Sequence, residues 1–444
     1  MLNKNIMVAG FTKRTSFSAA RVLLELGNTV LVSDTVRDPE KLGLLDELNK
    51  LGKTVDLLGR QDPGIIEEYD VDMILPSPGV PLDIPLIMEA RRRGIEVIGD
   101  IELFFRYFPK NTYIAITGTD GKTTTTTLVH EIVKRELPAL VGGNIGTAIF
   151  DLYHDMRPDS VVTLELSSFQ LEEIVSFRPK ISAVLNIAAD HLDRYPSIDE
   201  YLLAKKNIFN NQSKGDVAVL NLDSPYYDQV AKGVLARIVT FSRRDPKADC
   251  YFDGEWVYLK GEKFVERSKI ALNGIHNVEN AMAAILMTGE AGVSGGGIRA
   301  ALAEFKGLPH RLEFVRELEG VSYYNDSKST TVNALEKALL SFDTPVLAIV
   351  GGRDKGLDFT LIRDLAAKKL KKLVVIGEAS EKIERELAFR DTYRAKDMAD
   401  AVRYCRDNAV SGEAVVLSPG CASFDMFRNY AERGETFKNL VNSL

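Results

Sequence analysis

The sequence predicts an α/β protein built as three successive domains, and three observations carry that expectation. Ile114-Ala-Ile-Thr-Gly-Thr-Asp-Gly-Lys-Thr123 is an apolar strand that runs into a glycine-punctuated loop and then into a threonine-rich helix. Strand and helix patterns alternate from residue 5 onward, as a parallel sheet with crossover helices requires. Beyond Gly307-Leu-Pro-His-Arg311 a fresh alternation begins. The expected division is 1–110, 111–307 and 308–444, as a Rossmann-like unit, a central P-loop ATPase-like α/β unit and a second Rossmann-like α/β unit.

The loop between Thr117 and Thr123 reads as a phosphate site. Gly118 and Gly121 allow a close backbone approach, so successive N–H groups at a helix start point at phosphate oxygens. Lys122 then reaches the β and γ phosphates and the Thr123 hydroxyl reaches Mg2+. Ile116 stands where the longer Walker loop carries another glycine, so this is a shortened loop. The bland alternative is an ordinary strand-to-helix turn with a surface lysine.

Composition bounds the rest. A chain of 444 residues with 45% apolar and 27% charged side chains is a normal globular protein of several domains. With 56 basic and 63 acidic side chains the formal charge is −7, which argues against nonspecific nucleic-acid binding. Cys250, Cys405 and Cys421 are odd in number and far apart, so neither a disulfide framework nor a clustered zinc site is expected. The opening apolar run is too short for a signal peptide and no segment approaches the length of a membrane span. A cytoplasmic protein without membrane insertion is the expectation.

Taken in order, Asn5 to Gly10 reads as a first strand, Ser16 as the cap of a helix carrying Ala20, Leu23 and Leu24, and Thr29 to Ser33 as a second strand ending at Asp34. Glycine after strand one and an acid after strand two suit a nucleotide, although Gly10-Phe-Thr-Lys-Arg-Thr-Ser lacks the later glycines of a dinucleotide fingerprint. Asp34 is thus either a ribose or base ligand or a plain strand-end residue. Met73 to Gly79 is a strand and turn, Arg91-Arg-Arg-Gly94 ends a helix, and Ile95 to Ile98 is another strand. In the second segment, Ser160 to Leu166 carries Glu165 at its end, and Ile181 to Ile187 leads to Asp190-His-Leu-Asp-Arg-Tyr-Pro196. Parallel strands present their C-terminal ends on one edge, so Glu165 and His191 converge on the metal that Thr123 touches. Alone, each reads as a helix-starting glutamate or a loop histidine.

A helix is expected over Ser197 to Phe209, strands at Asp216 to Asn221 and Ile238 to Phe241, and a hairpin turning at Asp253-Gly254. Gly274 opens a helix with Asn277 and Asn280 on one face, where asparagines usually act as caps. In the third segment, strands are expected at Val321 to Asn325, Val346 to Gly352, Leu373 to Gly377 and Ala414 to Gly420, with a helix through Ala334 and Leu335.

Thr117-Gly-Thr-Asp-Gly-Lys-Thr, Gly143-Asn-Ile-Gly, Glu165-Leu-Ser-Ser-Phe-Gln-Leu-Glu, Asp190-His-Leu-Asp-Arg-Tyr-Pro, Tyr201-Leu-Leu-Ala-Lys, His276-Asn-Val-Glu-Asn-Ala, Leu308-Pro-His-Arg, Asn325-Asp-Ser-Lys, Gly351-Gly-Arg-Asp-Lys and Leu417-Ser-Pro-Gly-Cys-Ala-Ser follow one another along the whole chain. In that combination and order the sequence resembles the Mur ligase superfamily, and within it the branch that adds D-glutamate to UDP-N-acetylmuramoyl-L-alanine. The resemblance implies an ATP- and Mg2+-dependent ligase of peptidoglycan precursor synthesis. Its first domain would take the UDP of the acceptor, its second ATP, and its third would close over ATP with the amino acid. The acceptor carboxylate would take the γ phosphate to give an acyl phosphate, which the amine of D-glutamate then attacks.

By that resemblance Gly118, Thr119, Asp120, Gly121, Lys122, Thr123, Thr124, Asn277, Asn280, Arg311 and Asp326 align with ATP-contacting positions, and Thr123, Glu165 and His191 with the metal. Lys205 aligns with a lysine carbamylated by CO2 to become an anionic Mg2+ ligand, with Lys206 as the competing candidate. Asp34, Thr35, Asn144, Ser167 and Gln170 align with acceptor-binding positions, and Lys328, Thr330, Lys355, Ser423 and Tyr430 with amino-acid or closure positions. This chain departs from the family pattern at Asp120, Thr331 and Tyr430 and in its N-terminal glycine loop. Another muramyl or folate-polyglutamate-type ligase is the rival within the superfamily. A noncatalytic nucleotide switch is the rival outside it, and it would not need a third domain carrying Arg311, Asp326 and Lys328.

Overall fold

The computed structural model describes residues 3–188, 190, 194–272, 274–342 and 344–444. Three sheets, each flanked by helices, follow one another along the chain. The first holds β1 (Asn5–Ala9), β2 (Thr29–Asp34), β3 (Thr54–Leu58), β4 (Met73–Pro76) and β5 (Glu96–Val97) in the order β3-β2-β1-β4-β5, all parallel. Such strands are covered on both faces, which is why they read as continuous apolar runs.

The second sheet has nine strands: β6 (Thr112–Thr117), β7 (Ala139–Gly143), β8 (Val161–Glu165), β9 (Ile181–Val184), β10 (Val217–Asn221), β11 (Arg237–Ser242), β12 (Cys250–Phe252), β13 (Trp256–Leu259) and β14 (Glu262–Glu266). Their order is β14-β13-β12-β11-β10-β9-β6-β8-β7, parallel from β7 to β12 and antiparallel through β13 and β14. The expected hairpin joins β12 to β13, with Asp253 Oδ1 accepting the amides of Glu255 at 2.9 Å and Trp256 at 2.7 Å. The third sheet holds β15 (Glu313–Leu318), β16 (Val321–Asn325), β17 (Val346–Gly351), β18 (Leu370–Ile376), β19 (Thr392–Arg394) and β20 (Ala414–Leu417), ordered β15-β16-β20-β17-β18-β19.

The chain forms two compact units, Met1–Lys269 with Glu279–Leu302, and Ile270–Val278 with Ala303–Leu444. The first two sheets share one unit because a single apolar cluster runs through both. It joins Ile6, Val8, Val30 and Val32 of the first sheet to Phe104, Tyr113, Ala115, Phe150 and Val162. A bracket at Glu102 reinforces this: its fully buried carboxylate accepts the amides of Val175, Ser176 and Phe177 at 3.1, 2.9 and 2.8 Å and Arg106 Nε at 2.8 Å. In the other unit, Val346, Ala348 and Val350 of β17 enter one cluster and Leu347 and Ile349 the other, as the two-residue period of a doubly covered strand demands.

One expected local feature is corrected. Ser16 does not cap the helix Thr15–Glu25; Arg14 holds the cap position and makes no side-chain cap bond. Ser16 instead accepts the Thr12 amide at 2.7 Å and donates to the Thr12 carbonyl at 3.1 Å, closing the preceding loop on itself. Thr331, one of the departures, is a true cap, accepting the Ala334 amide at 3.2 Å at the start of the helix Val332–Leu340.

Candidate active site

The second sheet reverses its order at β6, between β8 and β9, and the glycine loop leaves β6 at that point. Gly121 is the left-handed residue (φ +78°) that turns the loop into the helix Lys122–Val133. The loop is clamped from β9: Asn186 Oδ1 accepts the Asp120 amide at 2.8 Å, its Nδ2 donates to the Asp120 carbonyl at 3.1 Å, and Thr119 N donates to the Asn186 carbonyl at 3.0 Å. Asn280, buried on the helix Ile275–Glu290, accepts from Thr125 Oγ1 at 3.1 Å and fills the space beside Gly121. Lys122 folds back over the loop, donating to the carbonyls of Gly118 at 2.9 Å and Thr119 at 2.7 Å. Thr123 and Thr124 follow in the first helical turn, half-buried.

Glu165 ends β8 in register with Ile116 on one side and Gly143 on the other. It is 3% exposed; Oε1 accepts from Asn144 Nδ2 at 3.0 Å, and among the described residues Oε2 has no hydrogen-bond partner. A buried carboxylate oxygen left in this way calls for a donor or a cation, and oxygen donors suit Mg2+. The residues present therefore fit such an ion. Among the described residues there is no ready-made group of three His, Cys, Asp or Glu, and His191 lies outside the described residues.

Lys205 is 2% exposed on the helix Ile198–Lys206. Its Nζ donates to the Gly118 carbonyl at 2.9 Å and lies 4.4 Å from the centre of the Tyr201 ring. Burial, then the charge of Lys122, pushes its pKa down to about 7, against the opposing pull of Asp190, Asp120 and Glu165. Lys206 instead points its amine at the Gln229 and Lys232 carbonyls on an exposed face. The charge of Asp120 acts on unmodified Lys205, a cation beside this departure from the family loop.

Of the residues expected to bind the acceptor, Ser167 and Gln170 form a reciprocal cap on the helix Ser168–Glu172, and Gln170 Nε2 donates to Asp100 Oδ1 at 3.5 Å. The Asp34 carboxylate is engaged by the amides of Phe11 at 2.6 Å and Val36 at 2.8 Å and by Lys41 at 2.7 Å, while Thr35 is exposed beside it.

The other compact unit carries the remaining positions. Asn277 is half-buried near the start of its helix. Asp326, 8% exposed, accepts from Ser418 Oγ at 2.9 Å and the Leu312 amide at 3.1 Å; burial pushes its pKa up to about 7, opposed by those bonds and by the exposed Arg311. Lys328 lies 5.5 Å from the Tyr430 ring and Lys355 5.9 Å from Phe424, all four exposed, while Thr330 is half-buried and Ser423 buried. Sequence reasoning missed Arg433. Only 2% exposed, it donates to Ser327 Oγ at 3.0 Å, to the Ser327 carbonyl at 2.8 Å and to the Cys421 carbonyl at 3.1 Å. An arginine in Tyr430-Ala-Glu-Arg-Gly-Glu reads as a solvated helix residue; the glycine beside it was the available signal, since a Cβ on Gly434 would strike His310.

Comparison with known proteins covers nearly the whole chain. Residues 4–99 match the MurD-like N-terminal domain of Mur ligases, 116–288 the Mur ligase middle domain and 310–421 the Mur ligase glutamate ligase domain. The UDP-N-acetylmuramoylalanine–D-glutamate ligase of Clostridioides difficile (strain 630) is 40% identical over 450 residues, with 99% of both chains covered. That of Geotalea daltonii is 43% identical over 448 residues, covering 99% of this chain and 98% of the relative. Among solved structures, a UDP-N-acetylmuramate-alanine ligase from Thermotoga maritima shares the fold at a TM-score of 0.60 and 19% identity over 99% of both chains. A MurF ligase from the same organism, solved with ADP, does so at 0.61 and 15% over 94% of both.

Proposed function

The chain belongs to the Mur ligase family, and from that premise we propose a course for its reaction and a role for each residue of the site. It is an ATP-dependent ligase that joins D-glutamate to UDP-N-acetylmuramoyl-L-alanine in peptidoglycan precursor synthesis. The observation that carries this assignment is end-to-end likeness at about 40% identity to ligases of that specificity.

The acceptor carboxylate attacks the γ phosphorus of ATP, ADP leaves, and the acyl phosphate remains. The neutral amine of D-glutamate then adds to the acyl carbon; phosphate departs, the nitrogen gives a proton to solvent, and the amide is left. Lys122 steadies the charge on the transferred phosphoryl group from a loop already bent around it. Bound Mg2+ supplies Lewis-acid neutralisation of phosphate oxygens, and Thr123, Glu165, His191 and Lys205 are the residues to hold it. A protonated lysine cannot ligate a cation, so Lys205 acts as its carbamate. Its neutral amine bonds to CO2 and releases one proton, and a pKa near 7 supports that step at physiological pH.

Gly118 to Thr124, Asn277, Asn280, Arg311 and Asp326 bind ATP. Asn144, Ser167, Gln170, Asp34 and Thr35 form the acceptor side. Lys355 and Lys328 meet the carboxylates of D-glutamate, with Thr330, Ser423 and Tyr430 around them. Residues 1–110, 111–307 and 308–444 serve as acceptor, ATP and amino-acid domains. The proposed setting is the cytoplasm, which three free, buried cysteines suit; no described helix is long and apolar enough to cross a membrane.

The test is product formation from UDP-N-acetylmuramoyl-L-alanine against a panel of amino acids. Phosphate release should require ATP, acceptor and D-glutamate together. Release without an amino acid, or equal turnover with L-alanine or lysine, would overturn the assignment.

A further inference from the structure

The first sheet reverses its order between β1 and β4, and a parallel sheet takes its ligand beyond the strand ends at such a reversal. A small open pocket lies there, lined by Thr15, Ser16, Ser77, Pro78 and Asp100. A nucleotide diphosphate at this place is ordinarily held by the free amides of a glycine-rich turn. This chain has spent amides of that turn on itself. Phe11 N goes to Asp34 Oδ2 at 2.6 Å, Thr12 N to Ser16 Oγ at 2.7 Å and Phe17 N to the Thr12 carbonyl at 3.1 Å. Gly10 is the only glycine between β1 and the helix Thr15–Glu25.

Arg14 stands in that turn, at the cap position of the helix. Its Nη2 donates to the Gly143 carbonyl at 2.9 Å, at the end of β7 and one residue before Asn144, and its charge acts on Asp100 in the cavity wall. A guanidinium carries five donors in a fixed fork that matches phosphate oxygens. We infer that Arg14 binds the diphosphate of the nucleotide-linked acceptor, adding a side-chain cation to a turn whose first two amides, those of Phe11 and Thr12, are already engaged. Because the same guanidinium is tied to Gly143, the diphosphate it holds is registered against Asn144 and the edge of the ATP-binding sheet. Lys13, exposed beside it, adds charge but has no such anchor among the described residues.

This inference rests on the reading that the acceptor is UDP-linked, and the experiment separates the two. UDP and uridine are titrated by calorimetry into the wild-type protein and into Arg14→Gln, Arg14→Lys and Arg14→Ala, with thermal melts to confirm folding. UDP should bind roughly tenfold or more weakly to the Gln and Ala variants, the loss expected for one charged hydrogen bond, and Lys should recover part of it. Uridine affinity should stay within twofold throughout. In turnover, the acceptor KM should rise in the same order while those for ATP and D-glutamate hold. Equal losses for UDP and uridine would reveal only a structural anchor to Gly143, and unchanged UDP affinity would remove Arg14 from the site; either overturns the inference alone. A wild-type protein that binds neither compound would overturn the UDP reading beneath it.

Discussion

Lys122 and Lys205 donate to the same oxygen, the carbonyl of Gly118, each at 2.9 Å. Burial first, and then repulsion from the Lys122 ammonium, lower the pKa of Lys205 to about 7. A lysine with a lowered pKa at this place is what the proposed carbamylation requires.

With a pKa of about 7 instead of 10.5, Lys205 presents a large neutral fraction at pH 7 to 8, where an ordinary lysine presents almost none. The expected outcome with 13C-bicarbonate is a carbamate carbon signal that grows as pH rises through about 7. The signal should persist in Lys206→Ala and vanish in Lys205→Ala, whose turnover acetate should partly restore. A signal lost with Lys206, or a fully active protein with no adduct, would count against it.

Gly121 and Asn280 should prove energetically coupled. A methyl group at residue 121 would have to adopt φ +78° and would collide with Asn280 Oδ1. Gly121→Ala should cost roughly 1–3 kcal/mol in urea unfolding for the strained backbone alone. Asn280→Ala strands the buried Thr125 hydroxyl and should cost a similar amount. The double variant relieves the collision but not the strain, so its loss should fall short of the sum by about 0.5 kcal/mol or more. Strict additivity would mean that the loop shifts away from Asn280 at no cost.

What was legible in the sequence follows from which groups face apolar surroundings. Buried parallel strands such as β6, β8 and β17 announce themselves as apolar runs, and the glycines and lysine after β6 declare a phosphate loop. β3 was not seen because Asp56 interrupts it, β7 because two of its five residues are glycine, and β15 because its Glu-Phe-Val-Arg-Glu-Leu lies half-exposed at a sheet edge. Within the site, its place at a strand end pointed to Glu165, whereas Lys205 was singled out only by the family resemblance. The clamp of Asn186 on Asp120 and the capture of Asp34 by Phe11, Val36 and Lys41 depend on contacts across the fold that no local spacing encodes.

Asp100 should make the protein less stable as pH rises. Burial lifts its carboxyl from 3.8 to about 6, against the Gln170 and Ile101 hydrogen bonds, and Glu173, buried beside it, is raised as well. Between about pH 4 and pH 6 the folded chain keeps a proton that the unfolded chain has released, so stability falls across that window and stays lower above it. The penalty from a shift of this size is on the order of 2–3 kcal/mol. Arg14, Arg91 and Arg194 offset part of the local negative charge, and Glu172 adds to it. Asp100→Asn should therefore raise the melting temperature at pH 8 and leave it nearly unchanged at pH 4. An equal change at both values would show that the carboxyl is not charged at a cost.

Arg433 should be irreplaceable by lysine. Its guanidinium ties Ser327 after β16 to the Cys421 carbonyl after β20, with a longer contact to the Gly351 carbonyl of β17 at 3.5 Å. Burial lowers its pKa only to about 10, so it is charged at neutral pH although no ion pair to it occurs among the described residues; carbonyl dipoles carry that charge. The three strand ends it joins lead to Lys328, Thr330, Lys355 and Ser423. A lysine offers three donors from a single nitrogen and cannot span two loops in the plane of a fork. Arg433→Lys should thus cost about 2–4 kcal/mol, from carbonyls left without donors and a buried ammonium with too few acceptors. Hydrogen exchange locates the damage: residues 326–330, 350–355 and 419–424 should exchange faster in the variant while peptides of the first sheet keep their rates. The KM for D-glutamate should rise well above its wild-type value and that for the UDP-linked acceptor should not. Faster exchange throughout the chain, or a D-glutamate KM that stays put, would reduce Arg433 to an ordinary packing residue.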